Sequence, residues 1–229
     1  VDKLRGPVGS RVSLTLKRRG QDDPIEVSLI RAHVVPETVA YQRQGDVAYF
    51  RVYGFNAETT DSLRRAIRDS QAEIGEDLRG YILDLRGNPG GLLNQAVSMS
   101  NLFLNHGRIV STLGRHPDSH QFFEATEGDI IDGKPLVVLI DGNSASAAEI
   151  VAAALQDNER AVLVGSNSYG KGTVQTILPM PNKGEITLTW ARFHAPSGYS
   201  LHHLGVLPTI CTVGQKDAGQ LISALAAGE

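Results

Sequence analysis

Four short apolar runs, each followed by a segment with helical spacing or a glycine turn, constrain the fold of this chain more than any other feature. Val47–Phe55, Tyr81–Leu85, Leu136–Ile140 and Ala161–Val164 have strand length and are rich in β-branched and aliphatic residues. Between them lie Ala57–Ile74, whose Leu63, Ala66, Ile67 and Ile74 form one apolar stripe, then Leu92–Leu104 and Ala145–Gln156. Strands alternating with helices predict βαβ units and a sheet covered by helices, an α/β class. The segment 116–132 is polar and weakly patterned, expected to be a loop or a short strand. Beyond Lys171 the pattern becomes β-rich at Thr173–Leu178 and Ile186–Phe193, and Asp217–Ala227 reads as a closing amphipathic helix. Ahead of this body, residues 11–18 and 25–31 alternate apolar and polar around the turn Gly20–Pro24, a hairpin too small to stand alone.

Composition narrows the function classes. The 229 residues suffice for a real core, and 41% hydrophobic with 21% charged residues excludes disordered and collagen-like chains. A net charge of −3 gives no electrostatic reason to expect nucleic acid as a partner. No run is long and apolar enough to span a bilayer, and Val-Asp-Lys-Leu-Arg-Gly does not open a signal peptide. The chain lacks an initiating Met and reads as a piece of a longer protein. A lone Cys211 forms neither a disulfide nor a zinc cluster within the chain.

The chemistry concentrates in Gly142–Gln175, where two serines precede an Ala-rich helix and one lysine sits in a glycine loop after a strand. Two readings compete. Gly165-Ser-Asn-Ser-Tyr-Gly-Lys171 matches the start of a phosphate-binding loop, which would make this a nucleotide enzyme. Gly172 then stands where that motif needs Ser or Thr, and Thr-Val-Gln-Thr-Ile follows where it needs a helix. The other reading makes Lys171 a general base for a serine. A lysine accepts a proton only when neutral, which burial promotes, and no Asp or Glu lies between Ser166 and Asn182. On a strand, Gln175 shares a face with Lys171 and can orient its amine without charging it. The serine next to a helix start meets unpaired backbone N–H groups, and the Gly90-Gly91 turn is the expected second donor to an oxyanion.

Here the motifs acquire a relative. Gly142-Asn-Ser-Ala-Ser-Ala-Ala-Glu149, Gln156-Asp157, Tyr169-Gly-Lys-Gly-Thr-Val-Gln175 and Ile82-Leu-Asp-Leu-Arg-Gly-Asn-Pro-Gly-Gly-Leu92 resemble the carboxyl-terminal processing (tail-specific) proteases of peptidase family S41 across most of Val34–Val213. The resemblance implies Ser146 as nucleophile, Lys171 as base, Gln175 as orienting amide, and the Ala147 amide with one from Gly90 or Gly91 as oxyanion donors. It implies a crotonase-like core over 34–213, a partial PDZ hairpin over 1–33 and a terminal helix over 214–229. It further implies a protein or peptide substrate bound extended, no cofactor, an extracytoplasmic setting such as a periplasm, and a homo-oligomer or regulatory adaptor as partner. Pro196-Ser-Gly-Tyr199-Ser-Leu and Gly205-Val-Leu-Pro208-Thr209 depart from the family pattern at the periphery. A scaffold of the same fold with a silent site is the alternative function.

Other residues have ordinary structural roles as their default. Ser144 or Ser146 can simply cap a helix. Asp157 is a secondary site candidate whose expected local partner is Arg160. His202-His203, adjacent in sequence and on opposite faces if on a strand, are expected to pack rather than bind metal. Arg86, beside the glycine turn, either orients substrate or ties down the loop.

Overall fold

The computed structural model describes residues 4–32, 34–126, 128–182 and 184–214. Two compact units emerge, Val1–Pro36 and Glu37–Glu229. The expected closing helix Asp217–Ala227 lies outside the described residues.

In the first unit, β1 (Arg11–Leu16) and β2 (Ile25–Ile30) pair antiparallel, from Arg11 opposite Ile30 to Leu16 opposite Ile25. The alternating pattern and the Gly20 turn, at φ 84°, produce the expected hairpin.

The second unit holds a six-stranded sheet. Its strands are β3 (Val39–Gln44), β4 (Val47–Val52), β5 (Gly80–Asp84), β8 (Leu136–Ile140), β9 (Val162–Gly165) and β12 (Ile210–Cys211), in the order β12-β9-β8-β5-β4-β3. All neighbours are parallel except β3, which turns back antiparallel on β4 through Gly45. Connecting parallel strands requires crossovers, and the helices α1 (Thr59–Ile74), α2 (Leu93–Ser100) and α3 (Ala147–Asp157) supply them. The apolar stripe of α1 buries Leu63, Ile67 and Ile74, while every residue of α3 from Ala147 to Leu155 is buried. Small alanines let α3 pack closely against its neighbours, which is why an Ala-rich helix lies at the centre of the molecule.

Between these elements, β6 (Arg108–Gly114), β7 (Gln121–Glu124), β10 (Thr173–Pro179) and β11 (Glu185–His194) form an antiparallel sheet ordered β10-β11-β6-β7. The short-strand expectation for 116–132 corresponds to β7. Three strands escaped the sequence reading, β3, β6 and the two-residue β12. Val-Ala-Tyr-Gln-Arg-Gln in β3 is an edge strand with no apolar run, and Arg-Ile-Val-Ser-Thr-Leu-Gly in β6 buries Ser111 and Thr112 alongside its aliphatics.

The register decides where chemistry can occur. Parallel strands β5, β8 and β9 finish at one edge, with Leu83 opposite Val138 and Ile140 opposite Gly165. The loops that follow them, 85–92, 141–146 and 166–172, therefore gather at the carboxyl edge of the sheet, where open α/β sheets hold their sites.

Candidate active site

Each of the three loops is shaped by its own short-range hydrogen bonds and then fastened to the next. After β8, Asp141 Oδ1 accepts from the Asn143 and Gly87 amides at 3.0 and 2.9 Å. Ser144, fully buried, donates through Oγ to Leu85 O at 2.8 Å and accepts from the Asp141 amide at 2.9 Å. The first serine is thus a fastener between two loops. After β5, buried Asn88 donates to Val52 O at 2.8 Å and accepts from the Gly90 amide at 2.8 Å, while its carbonyl takes the Ala145 amide at 2.9 Å.

Ser146 occupies the N-cap of α3 with φ 55° and ψ −114°, a conformation that non-glycine residues adopt only when their surroundings impose it, at a cost of about 1–3 kcal/mol. The turn presents Ser146 at a strand-to-helix junction. Gly90, at φ 96°, lies directly against it: a methyl group there would stand 2.7 Å from Ala145 O, 2.8 Å from Ser146 Cβ and 2.9 Å from the Ala147 nitrogen. The glycine turn and the start of α3 therefore converge on one point. Within that turn the Gly90 amide donates to Asn88 Oδ1 at 2.8 Å.

Glu149 joins the Ser146 turn to the lysine loop. Its side chain is fully buried and lies at N3 of α3, one turn beyond Ser146. Oε2 accepts from the Ser146 amide at 2.7 Å and from the Lys171 amide at 2.8 Å; Oε1 accepts from the Gly170 amide at 2.6 Å and from Ser168 Oγ at 2.5 Å. Two nitrogens bonded to one oxygen at those lengths are at most 5.5 Å apart, so Ser146 and Lys171 are brought together at their backbones. Four donors and the helix N-terminus compensate the buried charge. Sequence reasoning quoted Glu149 within its motif and gave it no role. The signal was present: a Glu three residues after an N-cap Ser is the capping-box spacing.

The lysine side chain departs from expectation. Lys171 is exposed, and Glu149, twenty-two residues earlier in the chain, takes its backbone amide and not its side chain. Among the described residues no hydrogen bond joins Ser146 Oγ to Lys171 Nζ. Gln175 is also exposed, and its Nε2 donates to Thr189 Oγ1 at 3.3 Å across β11 rather than to Lys171. A cleft of about 660 Å³ opens over the loops, lined by Gly87, Pro89, Asn143, Ala145, Tyr169 and Lys171.

The remaining candidates resolve individually. The loop Gly165–Lys171 leads into β10, so no helix follows it as a phosphate loop requires. Asp157 does not pair with Arg160: its Oδ2 accepts from the Ser197 amide at 2.9 Å, while Arg160 pairs with Asp129 at 3.1 Å. Arg86 ties down its loop through the fully buried Asp84, at 2.8 and 2.9 Å, and Asp84 also receives Arg51 at 3.0 Å and the Tyr49 hydroxyl. Burial pushes the Asp84 carboxyl up, but hydrogen bonds from Arg86 and Tyr49 outweigh it and hold the group below its ordinary value. His202 and His203 lie in a turn, not a strand, with rings 3.8 Å apart, and the His203 amide donates to Gly170 O at 2.8 Å. They brace the lysine loop, and among the described residues no cluster of three metal-binding side chains occurs.

Known proteins resemble this chain over most of its length. Residues 46–212 match the model of peptidase family S41. A carboxy-terminal-processing protease of Bartonella bacilliformis is 47% identical over 211 residues, covering 92% of this chain and 49% of the relative. A carboxyl-terminal-processing protease of Synechocystis sp. is 37% identical, covering 90% of this chain and 48% of the relative. Among solved structures, the photosystem II D1 C-terminal processing protease superposes with a TM-score of 0.68 at 26% identity, over 90% of this chain and 56% of that one. The chain spans about half the length of the curated relatives it matches.

Proposed function

The chain belongs to peptidase family S41, and from that membership we propose that it is the protease core of a serine endopeptidase acting on protein substrates near their C-termini. Ser146 Oγ attacks the scissile carbonyl carbon while its proton passes to a neutral Lys171 Nζ. The tetrahedral oxyanion is held by the amides of Ala147 and Gly91. Collapse breaks the C–N bond, the Lys171 ammonium protonates the departing amine, and an acyl-enzyme remains. Water then gives its proton to Lys171 and attacks the ester, and Ser146 recovers its hydroxyl proton as the new carboxylate leaves. Gln175 orients the amine once it leaves Thr189. No cofactor enters this scheme.

One observation carries the reading: a single oxygen of Glu149 accepts both the Ser146 and the Lys171 amides. Nothing in a phosphate loop or a plain helix cap calls for that bridge. The same proposal includes a crotonase-like core over 34–213, residues 1–33 as part of a PDZ domain, a helix over 214–229, and an extracytoplasmic, periplasmic location with a homo-oligomer or adaptor as partner.

The test is cleavage of an unfolded protein substrate. Ser146→Ala and Lys171→Arg should each be inactive while melting near wild type, because a guanidinium stays protonated at any usable pH. Turnover by Lys171→Arg would place the base elsewhere. A second reading, a silent scaffold, draws on the exposure of Lys171 and the missing Ser146–Lys171 hydrogen bond. Labelling of Ser146 by a fluorophosphonate decides between them, since only an activated serine reacts.

A further inference from the structure

At the C-terminal end of α3 lies a cavity of about 390 Å³, walled by Ala153, Asp157, Tyr199, Leu201, Val206 and Leu207 among others. That volume is at the small end for ligand pockets. The walls are mostly apolar, with one carboxylate. Asp157 Oδ2 takes the Ser197 amide at 2.9 Å, and among the described residues no lysine, arginine or histidine comes within ion-pair distance of it. Arg160, three residues on, is turned to Asp129. Asp157 is also the last residue of α3, whose final turn holds no basic residue, so the negative end of the helix adds to an uncompensated charge. An apolar cavity with a bare carboxylate at a helix C-terminus, and the exposed Tyr199 in its wall, suits a cation carried on an apolar stem.

One wall of this cavity also fastens the lysine loop. The Val206 amide donates to Ser168 Oγ at 2.7 Å and Val206 O accepts from the Ser168 amide at 3.1 Å. The His203 amide donates to Gly170 O at 2.8 Å, and Asn167 Nδ2 donates to Leu204 O at 3.1 Å. Gln156 Nε2, one residue before Asp157, donates to Leu207 O at 3.0 Å. The segment 201–207 thus walls the cavity and holds residues 167–170. Eleven residues of helix, roughly 16 Å, separate Asp157 from Ser146, and the cavity shares no lining residue with the cleft. Leu207 is 64% exposed, so the wall runs out onto open apolar surface that a peptide covers and a lone amine does not.

We propose that this cavity takes a lysine or arginine side chain of a peptide partner, with its cation at Asp157 and its stem against Tyr199, Leu201 and Val206, and that occupancy steadies the lysine loop. The binding site stands apart from the peptidase reading. The steadying rests on that reading only for its consequence, a firmer Lys171 loop beside Ser146. A ligand that clasps 201–207 in its folded form makes local opening of that segment rarer, and with it the release of Ser168 and Gly170.

The experiment titrates the Ser146→Ala chain with three fluorescein-labelled, C-terminally amidated pentapeptides, Ala-Leu-Xaa-Leu-Ala, in which Xaa is lysine, norleucine or glutamate. Anisotropy gives affinity and amide hydrogen exchange gives location. The lysine peptide is expected to bind about fivefold tighter than the norleucine peptide, with glutamate weakest, and to slow exchange in 195–201 and 166–172. Asp157→Asn, whose amide oxygen can still accept from the Ser197 amide, should bring lysine and norleucine to parity. Leu207→Lys, at an exposed position, should place a cation beside Asp157 and remove the same preference without unfolding the chain. Equal binding of the lysine and norleucine peptides, a preference that survives both variants, or protection confined to the cleft loop 85–92 overturns the proposal. Binding that leaves exchange at 166–172 unchanged overturns the steadying. Displacement of the lysine peptide by an equal concentration of hexylamine overturns the peptide as occupant in favour of a small amine. Since no turnover is needed, failure of the peptidase reading would show separately, as undiminished cleavage by Ser146→Ala.

Discussion

Glu149→Gln removes one negative charge and replaces one oxygen with an amino group, and the structure makes the consequence calculable. Each Glu149 oxygen accepts two hydrogen bonds. The glutamine oxygen retains two of them, while its amino group faces either the Ser146 and Lys171 amides, neither of which it satisfies, or the Gly170 amide and the Ser168 hydroxyl, of which only the hydroxyl can turn to accept. A buried donor left unpaired costs about 1–3 kcal/mol, so the loss is roughly 1–6 kcal/mol. At about 2–4 °C per kcal/mol for a domain of this size, the lower end alone lowers Tm by about 2–4 °C. Glu149→Ala strands all four donors and should cost about 4 kcal/mol or more. The catalytic loss should exceed what unfolding explains. Where the bridge opens, the Tyr169 amide still donates to Ser144 O at 3.0 Å, but the Ser146 and Lys171 amides lose their shared partner, and small misplacements of reacting groups cost about a hundredfold in rate. The assay is Tm by calorimetry together with kcat and KM at a temperature where both proteins are fully folded. The expected result is a fall in kcat at nearly constant KM. Glutamine with wild-type Tm and kcat would refute the reasoning, since it would mean that the four hydrogen bonds contribute nothing as a set.

Gly90→Ala should abolish cleavage and lower Tm, because its methyl group would meet Ala145 O and Ser146 Cβ at under 3 Å in a left-handed conformation; wild-type kinetics would refute the convergence of the two turns. Ser144→Ala should lower stability by about 1–3 kcal/mol in denaturant titration, from the unpaired Asp141 amide, the Leu85 carbonyl keeping the Asn88 amide, yet retain fluorophosphonate labelling at Ser146. Gln175→Ala should lower kcat without changing Tm, read by cleavage and calorimetry side by side. Acid stability should depend on Asp84: its folded value lies below the ordinary one, so its contribution is complete above about pH 4 and disappears as pH falls through the folded value. Asp84→Asn should therefore flatten the acid limb of stability against pH, and an unchanged limb would assign it to other carboxylates.

Much of the fold was legible because its central strands are continuous apolar runs between helices with a clear stripe, and Leu136–Ile140 matched residue for residue. The strands that escaped, β3, β6 and β12, owe their existence to neighbours: β3 and β12 are the two edges of the larger sheet, and β6 is held by long-range antiparallel pairing. At the site, residue types and motif order marked Ser146, Lys171 and the Gly90-Gly91 turn. The environment of Lys171 was not legible, because an acid twenty-two residues away cannot be seen in a local window. Nor could sequence show that the Gly90 amide is taken by Asn88, or that Asp157 answers to Ser197 and not to Arg160, since each depends on how a side chain turns within the finished fold.

The lysine loop is closed from outside by residues that come late in the chain. Ser168 exchanges hydrogen bonds with Val206, through its amide at 3.1 Å and its hydroxyl at 2.7 Å, and Gly170 O takes the His203 amide. The loop that carries Lys171 thus acquires its final shape only after the chain has been made and folded past Val206. A ribosome-bound or half-folded molecule would hold Ser146 with the Lys171 loop still unfastened. Under the proposed peptidase reading, such an order of assembly keeps the uncompleted polypeptide harmless to its own neighbours, a safeguard of timing that requires no inhibitor.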